Sequence, residues 1–285
     1  MRYFLEISYK GTDYHGWQIQ PNAVTVQEVL DKALSTCFRE KIETTGCGRT
    51  DTGVHARQFY VHFEGSDQLS ALSFELSGIE PQQSVLSNEL SGMEPQTSAL
   101  SPPTFGLKPK TSKLLNSLNA LLPRDIAVKR IIEVEPEAHA RFDAVLRSYE
   151  YHVHFNKDPF KQDFSWQLKD ELDMEAMNVA AGIIKEYRDF SCFSKSNTQV
   201  FTNNCKIEDA YWEANSSGSV FHISADRFLR NMVRAIVGTL IPIGRGEMKP
   251  EAIRNIIESK NRSNAGTSVP ACGLYLTRVI YPYID

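Results

Sequence analysis

The sequence predicts an α+β fold built as two mixed halves, and three observations carry that expectation. Segments with period-two alternation of apolar and polar residues, the mark of half-buried strands, are interleaved with segments whose apolar residues recur at helical spacing. The mixture is run through twice along the chain. Finally, 285 residues with 41% apolar and 23% charged side chains hold enough apolar matter for one large domain or two ordinary ones. A wholly disordered chain is excluded.

The elements follow in order. Residues 3–9 read as a strand. Residues 25–38 read as a helix, opened by the capping pair Thr25 and Glu28 and carrying Val26, Val29, Leu30, Ala33, Leu34 and Cys37 on one side. Residues 59–63 are a second strand, 113–122 a helix ended by Pro123, and 126–134 a strand. Residues 147–155 alternate most cleanly: Tyr149, Tyr151, Val153 and Phe155 share one face, and Ser148, Glu150, His152 and His154 the other. A helix at 174–187, strands at 205–212 and 220–225, helices at 227–238 and 251–259, and a strand at 273–281 complete the chain. The expected division is an N-terminal half of residues 1–107 and a C-terminal half of 108–285, joined near Pro102 to Pro109.

Charge is distributed unevenly. The chain carries 31 basic and 35 acidic residues, a net of −4. Between Gln58 and Leu107 there is no Lys or Arg, while six acids fall there. That stretch holds a 14-residue repeat, residues 73–86 and 87–100, identical at ten positions. Two copies are too few and too polar for a solenoid. The expectation is an acidic insertion at about 65–104 that projects from the outer surface or is disordered and takes no part in catalysis. Setting aside the six acids between Gln58 and Leu107 leaves 29 acids against the 31 basic residues, a net of +2. The bases cluster at Lys108, Lys110, Lys113, Arg124, Lys129 and Arg130, and at Arg227, Arg230, Arg234 and Arg245. A polyanionic partner is therefore allowed.

Five scattered cysteines without a C-x-x-C pair give no zinc knuckle and no disulfide framework, which fits a reducing compartment. The N-terminus has an acid at Glu6 and no long apolar run, unlike a signal peptide, and the most apolar later stretch, 235–244, is half a membrane span. A soluble, cytoplasmic protein with no membrane partner is expected.

The segment Gly46-Cys-Gly-Arg-Thr-Asp-Thr-Gly-Val-His55 lies between a helix and a strand, and its three glycines permit close approach of backbone to a ligand. Its one acid is Asp51, with Arg49 two residues before it. A neighbouring cation favours the carboxylate form that a nucleophile or base requires. The same pattern also suits an ordinary Asp-Thr-Gly turn. It is not a P-loop, since the G-K-[ST] ending is missing. Asp51-Thr52-Gly53 matches the core of the aspartic-peptidase signature, but such enzymes need two carboxylates sharing a proton, and one copy would require a homodimeric site. Tyr149 suits the sheet core or a ring on which a base stacks. Arg227, Arg230 and Arg234, spaced i, i+3 and i+7, would line one helix face as a solvated ridge or as candidate phosphate contacts. His152 and His154 suggest no third ligand, so no metal site is expected.

Taken together, several segments resemble the A-type tRNA pseudouridine synthases: Tyr9-Lys-Gly-Thr-Asp-Tyr-His-Gly-Trp-Gln18, Gly48-Arg-Thr-Asp-Thr-Gly-Val-His-Ala56, His139-Ala-Arg-Phe-Asp143 with Arg147-Ser-Tyr-Glu-Tyr151, Met232-Val-Arg-Ala-Ile-Val-Gly238 and Gly273-Leu-Tyr-Leu276. They occur in the family's order from residue 2 to about 281, with only the repeat-bearing insertion outside the resemblance. The resemblance implies the pseudouridine synthase fold, two α+β lobes whose antiparallel sheets join around a basic central cleft. It implies isomerisation of uridine in the tRNA anticodon stem-loop, at positions 38–40, by a homodimer that needs no metal and no organic cofactor. By the same resemblance Asp51 is the nucleophile and Arg49 its ion-pair partner, Arg234 approaches the Asp51 carboxylate, Tyr149 stacks on the uracil, and Leu274 lines the pocket. Two other readings are carried alongside. A non-catalytic RNA-binding module would keep every function in Asp51→Asn, and a dimeric aspartic peptidase would cleave unfolded protein at acid pH.

Overall fold

A computed structural model describes residues 1–65, 109–169, 171–194 and 201–284. Strands β1 (Arg2–Tyr9), β3 (His55–Glu64), β4 (Ile126–Val134), β5 (Leu146–His154), β7 (Ile207–Asn215), β8 (Gly218–Ala225) and β9 (Leu274–Ile280) form one sheet in the order β4-β1-β3-β9-β5-β8-β7, with the two-residue strands β2 (Thr45–Gly46) on β3 and β6 (Trp166–Gln167) on β5. Along that order every pairing is antiparallel except β3 with β9, which is parallel and only two residues long: His55 opposite Tyr275 and Ala56 opposite Leu276. This narrow splice is where the halves of the sheet meet, four residues after Asp51.

Each half has its own core. Helix α1 (Val26–Phe38) begins as its sequence demands, with the Thr25 hydroxyl accepting from the Glu28 N–H at 3.3 Å. Leu30, Leu34 and Phe38 bury its apolar side in the core that holds Leu5, Phe59 and Phe63, with Phe38 edge-on to Phe63 at 5.6 Å. Helix α2 (Pro109–Leu121) packs against α1 and β4. Its Leu114 and Leu118, with Val128, Ile131, Ala140 and Ala144, belong to the same core. The two cores are not strictly sequential: the first also takes in Leu276, Val279 and Tyr281 near the end of the chain, and the second takes in Val54. Helices α3 (Met174–Ile184), α4 (Met232–Gly244) and α5 (Ala252–Glu258) build the second core over β5, β7 and β8.

Most expected elements are present within a few residues, and two differences matter. Strand β3 starts at His55 rather than 59, because its first residues pair with β1 and β9. Helix α4 starts at Met232 rather than 227. Asn231 before it takes a left-handed φ of 65°, and the Asp226 carboxylate accepts from the N–H groups of Lys206 and Arg227, which holds 226–231 as a loop. Arg227 and Arg230 thus do not share a helix face with Arg234. The 14-residue repeat lies outside the described residues. No helix among the described residues is long and apolar enough to cross a membrane.

Candidate active site

Asp51 stands on the loop between β2 and β3, and the segment 9–18 folds beneath that loop. The contact is close enough to require glycine. A Cβ on Gly16, whose φ is 87°, would lie 2.5 Å from Thr50 O, and one on Gly11 would lie 2.0 Å from Val54 O. Trp17 N–H donates to Thr50 O (3.2 Å), Gly53 N–H to Tyr14 O (3.4 Å) and Val54 N–H to Asp51 O (3.1 Å). The Tyr9 hydroxyl shares a hydrogen bond with the Thr50 hydroxyl at 2.8 Å, in a buried position. Every residue from Thr50 to Val54 is thus fixed to the first motif or to its own turn, except Thr52.

The Asp51 carboxylate is partly buried and sits between two guanidinium groups. Arg230 Nε is 3.3 Å from Oδ1, and Arg234 Nη1 is 3.8 Å from Oδ2. Arg234 is itself anchored, its Nε donating to Val269 O at 2.7 Å. Arg49, expected as the ion-pair partner, makes no ion pair with Asp51: both carboxylate oxygens are met by Arg230 and Arg234 from the other half of the chain. Arg230, expected as a phosphate contact, is instead on the carboxylate. The charges around Asp51 are positive, whereas a peptidase would place a second carboxylate there.

Tyr149, on β5, packs edge-on against Phe228 with ring centroids 5.1 Å apart. Burial pushes its hydroxyl well above the usual phenol range, with the Cys47 thiol and the Asp51 charge adding and Arg147 opposing. The hydroxyl is therefore neutral at physiological pH, a donor rather than a phenolate. Leu274 lies opposite Tyr151 at the start of β9 and is buried in the second core. Ala271, three residues before it, has its Cβ 3.3 Å from where a Cβ on Gly53 would stand, so the 3-10 turn of Ala271–Gly273 that leads into β9 packs against the Asp51 loop.

One residue that sequence reasoning gave no role fastens the site together. The Arg147 guanidinium donates to Cys47 O (2.9 Å), Arg141 O (2.7 Å), Ala144 O (3.2 Å) and Asp226 O (2.9 Å). It thereby ties the loop bearing Asp51 to the loop bearing Arg230. Its place in the Arg147-Ser-Tyr149 segment is the only signal the sequence offered. His55 was likewise missed. Its Nδ1 accepts from Gly11 N–H (3.0 Å), and its Nε2 faces Asp163 O (3.0 Å) and Cys272 O (3.1 Å), so burial leaves a neutral ring with its proton on Nε2. A separate depression of about 420 Å³, lined by Lys10, Arg57, Arg124, Lys129 and Tyr275, opens on the opposite face of the sheet from Tyr149.

A family model described as tRNA pseudouridine synthase matches residues 187–282. The tRNA pseudouridine synthase A of Parabacteroides distasonis is 43% identical over 281 residues, covering 99% of this chain and 96% of that protein. That of Bacteroides thetaiotaomicron is 44% identical over 284 residues, covering 99% and 91%. The more distant protein of the same name from Thermosipho melanesiensis is 35% identical over 282 residues, covering 98% and 99%. With the whole length aligned and the motifs gathered around one carboxylate, the chain belongs to the tRNA pseudouridine synthase A family, enzymes that isomerise uridine to pseudouridine.

Proposed function

We propose that this chain converts uridine to pseudouridine in the anticodon stem-loop of tRNA, at positions 38–40, with Asp51 as the nucleophile. The observation that carries the reading is the Asp51 carboxylate held between Arg230 and Arg234 in a loop pinned to the first motif. The reaction breaks the N1–C1′ bond, turns the uracil and joins C5 to C1′, with loss of the C5 proton. No electrons are gained and no group is lost, so one carboxylate suffices as the covalent partner, whether it adds at C1′ or at uracil C6.

The residues divide the remaining work. Arg230 and Arg234 meet the two oxygens of the Asp51 carboxylate and aim it. The target base has to leave the stem to reach Asp51, and Tyr149 offers the ring on which it stacks. Arg49, whose charge is felt by Arg141, is assigned to the phosphates of the opened loop. Leu274 supports the pocket wall from the second core. We further propose that the protein works in the cytoplasm as a homodimer, which light scattering on the purified chain would test.

Nucleoside chromatography of tRNA digested after incubation tests the reaction. Uridine should decline as an isomer of equal mass appears, with wild type and not with Asp51→Ala. Equal conversion by both would refute the role of Asp51. A tRNA bound but never converted would favour the non-catalytic module.

A further inference from the structure

The loop from His139 to Val145, which enters β5 beside the Asp51 loop, is unusually well fastened. Each backbone N–H from His139 to Asp143 has a partner: the Asp143 carboxylate for His139, His62 Nδ1 for Ala140, His139 Nδ1 for both Arg141 and Phe142, and His139 O for Asp143. Tyr281 donates its hydroxyl to Ala140 O at 2.5 Å, and Tyr283 donates to Asp143 Oδ2 at 2.7 Å. Yet this fixed loop presents Phe142 outward, 74% exposed. The His139 ring supports it from one side, with centroids 4.3 Å apart, and the Arg141 guanidinium is 5.7 Å from its centroid.

A single exposed apolar side chain is ordinary on a protein surface. The surroundings of Phe142 are not. Because one Arg147 guanidinium binds Cys47 O, Arg141 O and Asp226 O, the chain positions from which Arg49, Arg141 and Arg227 spring are drawn to a single point. The Arg141 guanidinium is held below its usual pKa range by burial and then by the charges of Arg49, Arg147 and Arg227. A rigid aromatic face beside mutually repelling guanidinium groups, next to the loop of Asp51, has the composition of a single-strand nucleic-acid site: a ring for a base and cations for its phosphates.

We infer that Phe142, backed by His139 and flanked by Arg141, is a stacking site for an unpaired base of the RNA loop that carries the target uridine. The inference rests on the tRNA reading above. It assigns Phe142 a different base from the one that reaches Asp51, because Phe142 is 74% exposed, whereas Tyr149 is partly buried against Phe228. Anchoring a neighbouring base there would hold the loop open while the target is extruded.

The test uses anticodon stem-loop RNA carrying 2-aminopurine at one loop position at a time, titrated with the full-length protein. Wild type should quench one position other than the target. Phe142→Ala should lose that quench and bind about 5- to 100-fold more weakly. Phe142→Trp should restore both, whereas Phe142→Leu, apolar but without a π face, should not. Arg141→Gln should lower the slope of log affinity against log salt by about 0.7. Retained quench and affinity in Phe142→Ala, or rescue by Phe142→Leu, would overturn the stacking site. So would a wild type that makes pseudouridine but quenches no loop position, and in that case the catalytic reading would stand. A wild type that makes no pseudouridine would overturn the catalytic reading and this site with it.

Discussion

Replacing Arg147 by Met removes four hydrogen bonds at once, and their value differs by exposure. The bonds to Arg141 O and Asp226 O are exposed, so water replaces them at little net loss. Those to Cys47 O and Ala144 O are partly buried, and each carbonyl left without a donor costs roughly 1–2 kcal/mol. The sum is about 2–4 kcal/mol, which for a chain of this size lowers Tm by roughly 4–12 °C. Catalysis should suffer beyond stability. Cys47 leads into the Asp51 loop and Asp226 into the loop of Arg230, so without the guanidinium the carboxylate and its cation are no longer held in register. At a temperature where both proteins are fully folded, kcat should fall about 10-fold or more with a smaller change in KM. Arg147→Lys should recover part of the Tm, because one ammonium reaches only some of the carbonyls, and little of the turnover. Calorimetry and steady-state assays of the three proteins decide the matter. An Arg147→Met protein that melts and turns over as wild type would show that the guanidinium does not hold the two loops together.

Gly16→Ala places a methyl 2.5 Å from Thr50 O at a φ of 87°, so Tm should drop and turnover should fall with it as the Asp51 loop is displaced; an unchanged Tm in thermal unfolding would contradict this. His62 is buried and neutral, and burial pulls its pKa to about 4, so the unfolded chain takes up protons more readily than the folded one. The stability it contributes is complete above about pH 6.5 and is lost as pH falls towards 4, and urea titrations should show a shallower decline over that window in His62→Gln. Tyr149→Phe keeps the ring and loses only the hydroxyl, so tRNA binding should be unchanged in a filter or polarisation assay; weaker binding would mean that the hydroxyl, not the ring, makes the contact.

Much of this was legible in the sequence for a physical reason. Strands such as β5 and helices such as α1 are specified locally, by alternation and by a capping threonine, and these elements lie where the pattern puts them. Asp51 stood out because glycines and an acid crowd one short segment. What could not be read is what depends on long-range closure. The partners of Asp51 come from 179 and 183 positions along the chain, across a splice of two paired residues that no local pattern announces. Arg49, nearest in sequence, is not among them. The register of Arg227, Arg230 and Arg234 looked helical because three residues at the right spacing carry no sign of the left-handed Asn231 that delays the helix. Arg147 was invisible because its partners are carbonyl oxygens, which have no sequence identity.

The role proposed for Asp51 requires that the uracil C5 proton be lost only when its carboxylate is present. Release of tritium from tRNA labelled at uridine C5 measures that event directly. Wild type should release the label, while Asp51→Ala and Asp51→Asn should release none above background and still bind tRNA with near wild-type affinity, since phosphate contacts dominate binding. Release by either variant at the wild-type rate would contradict the account.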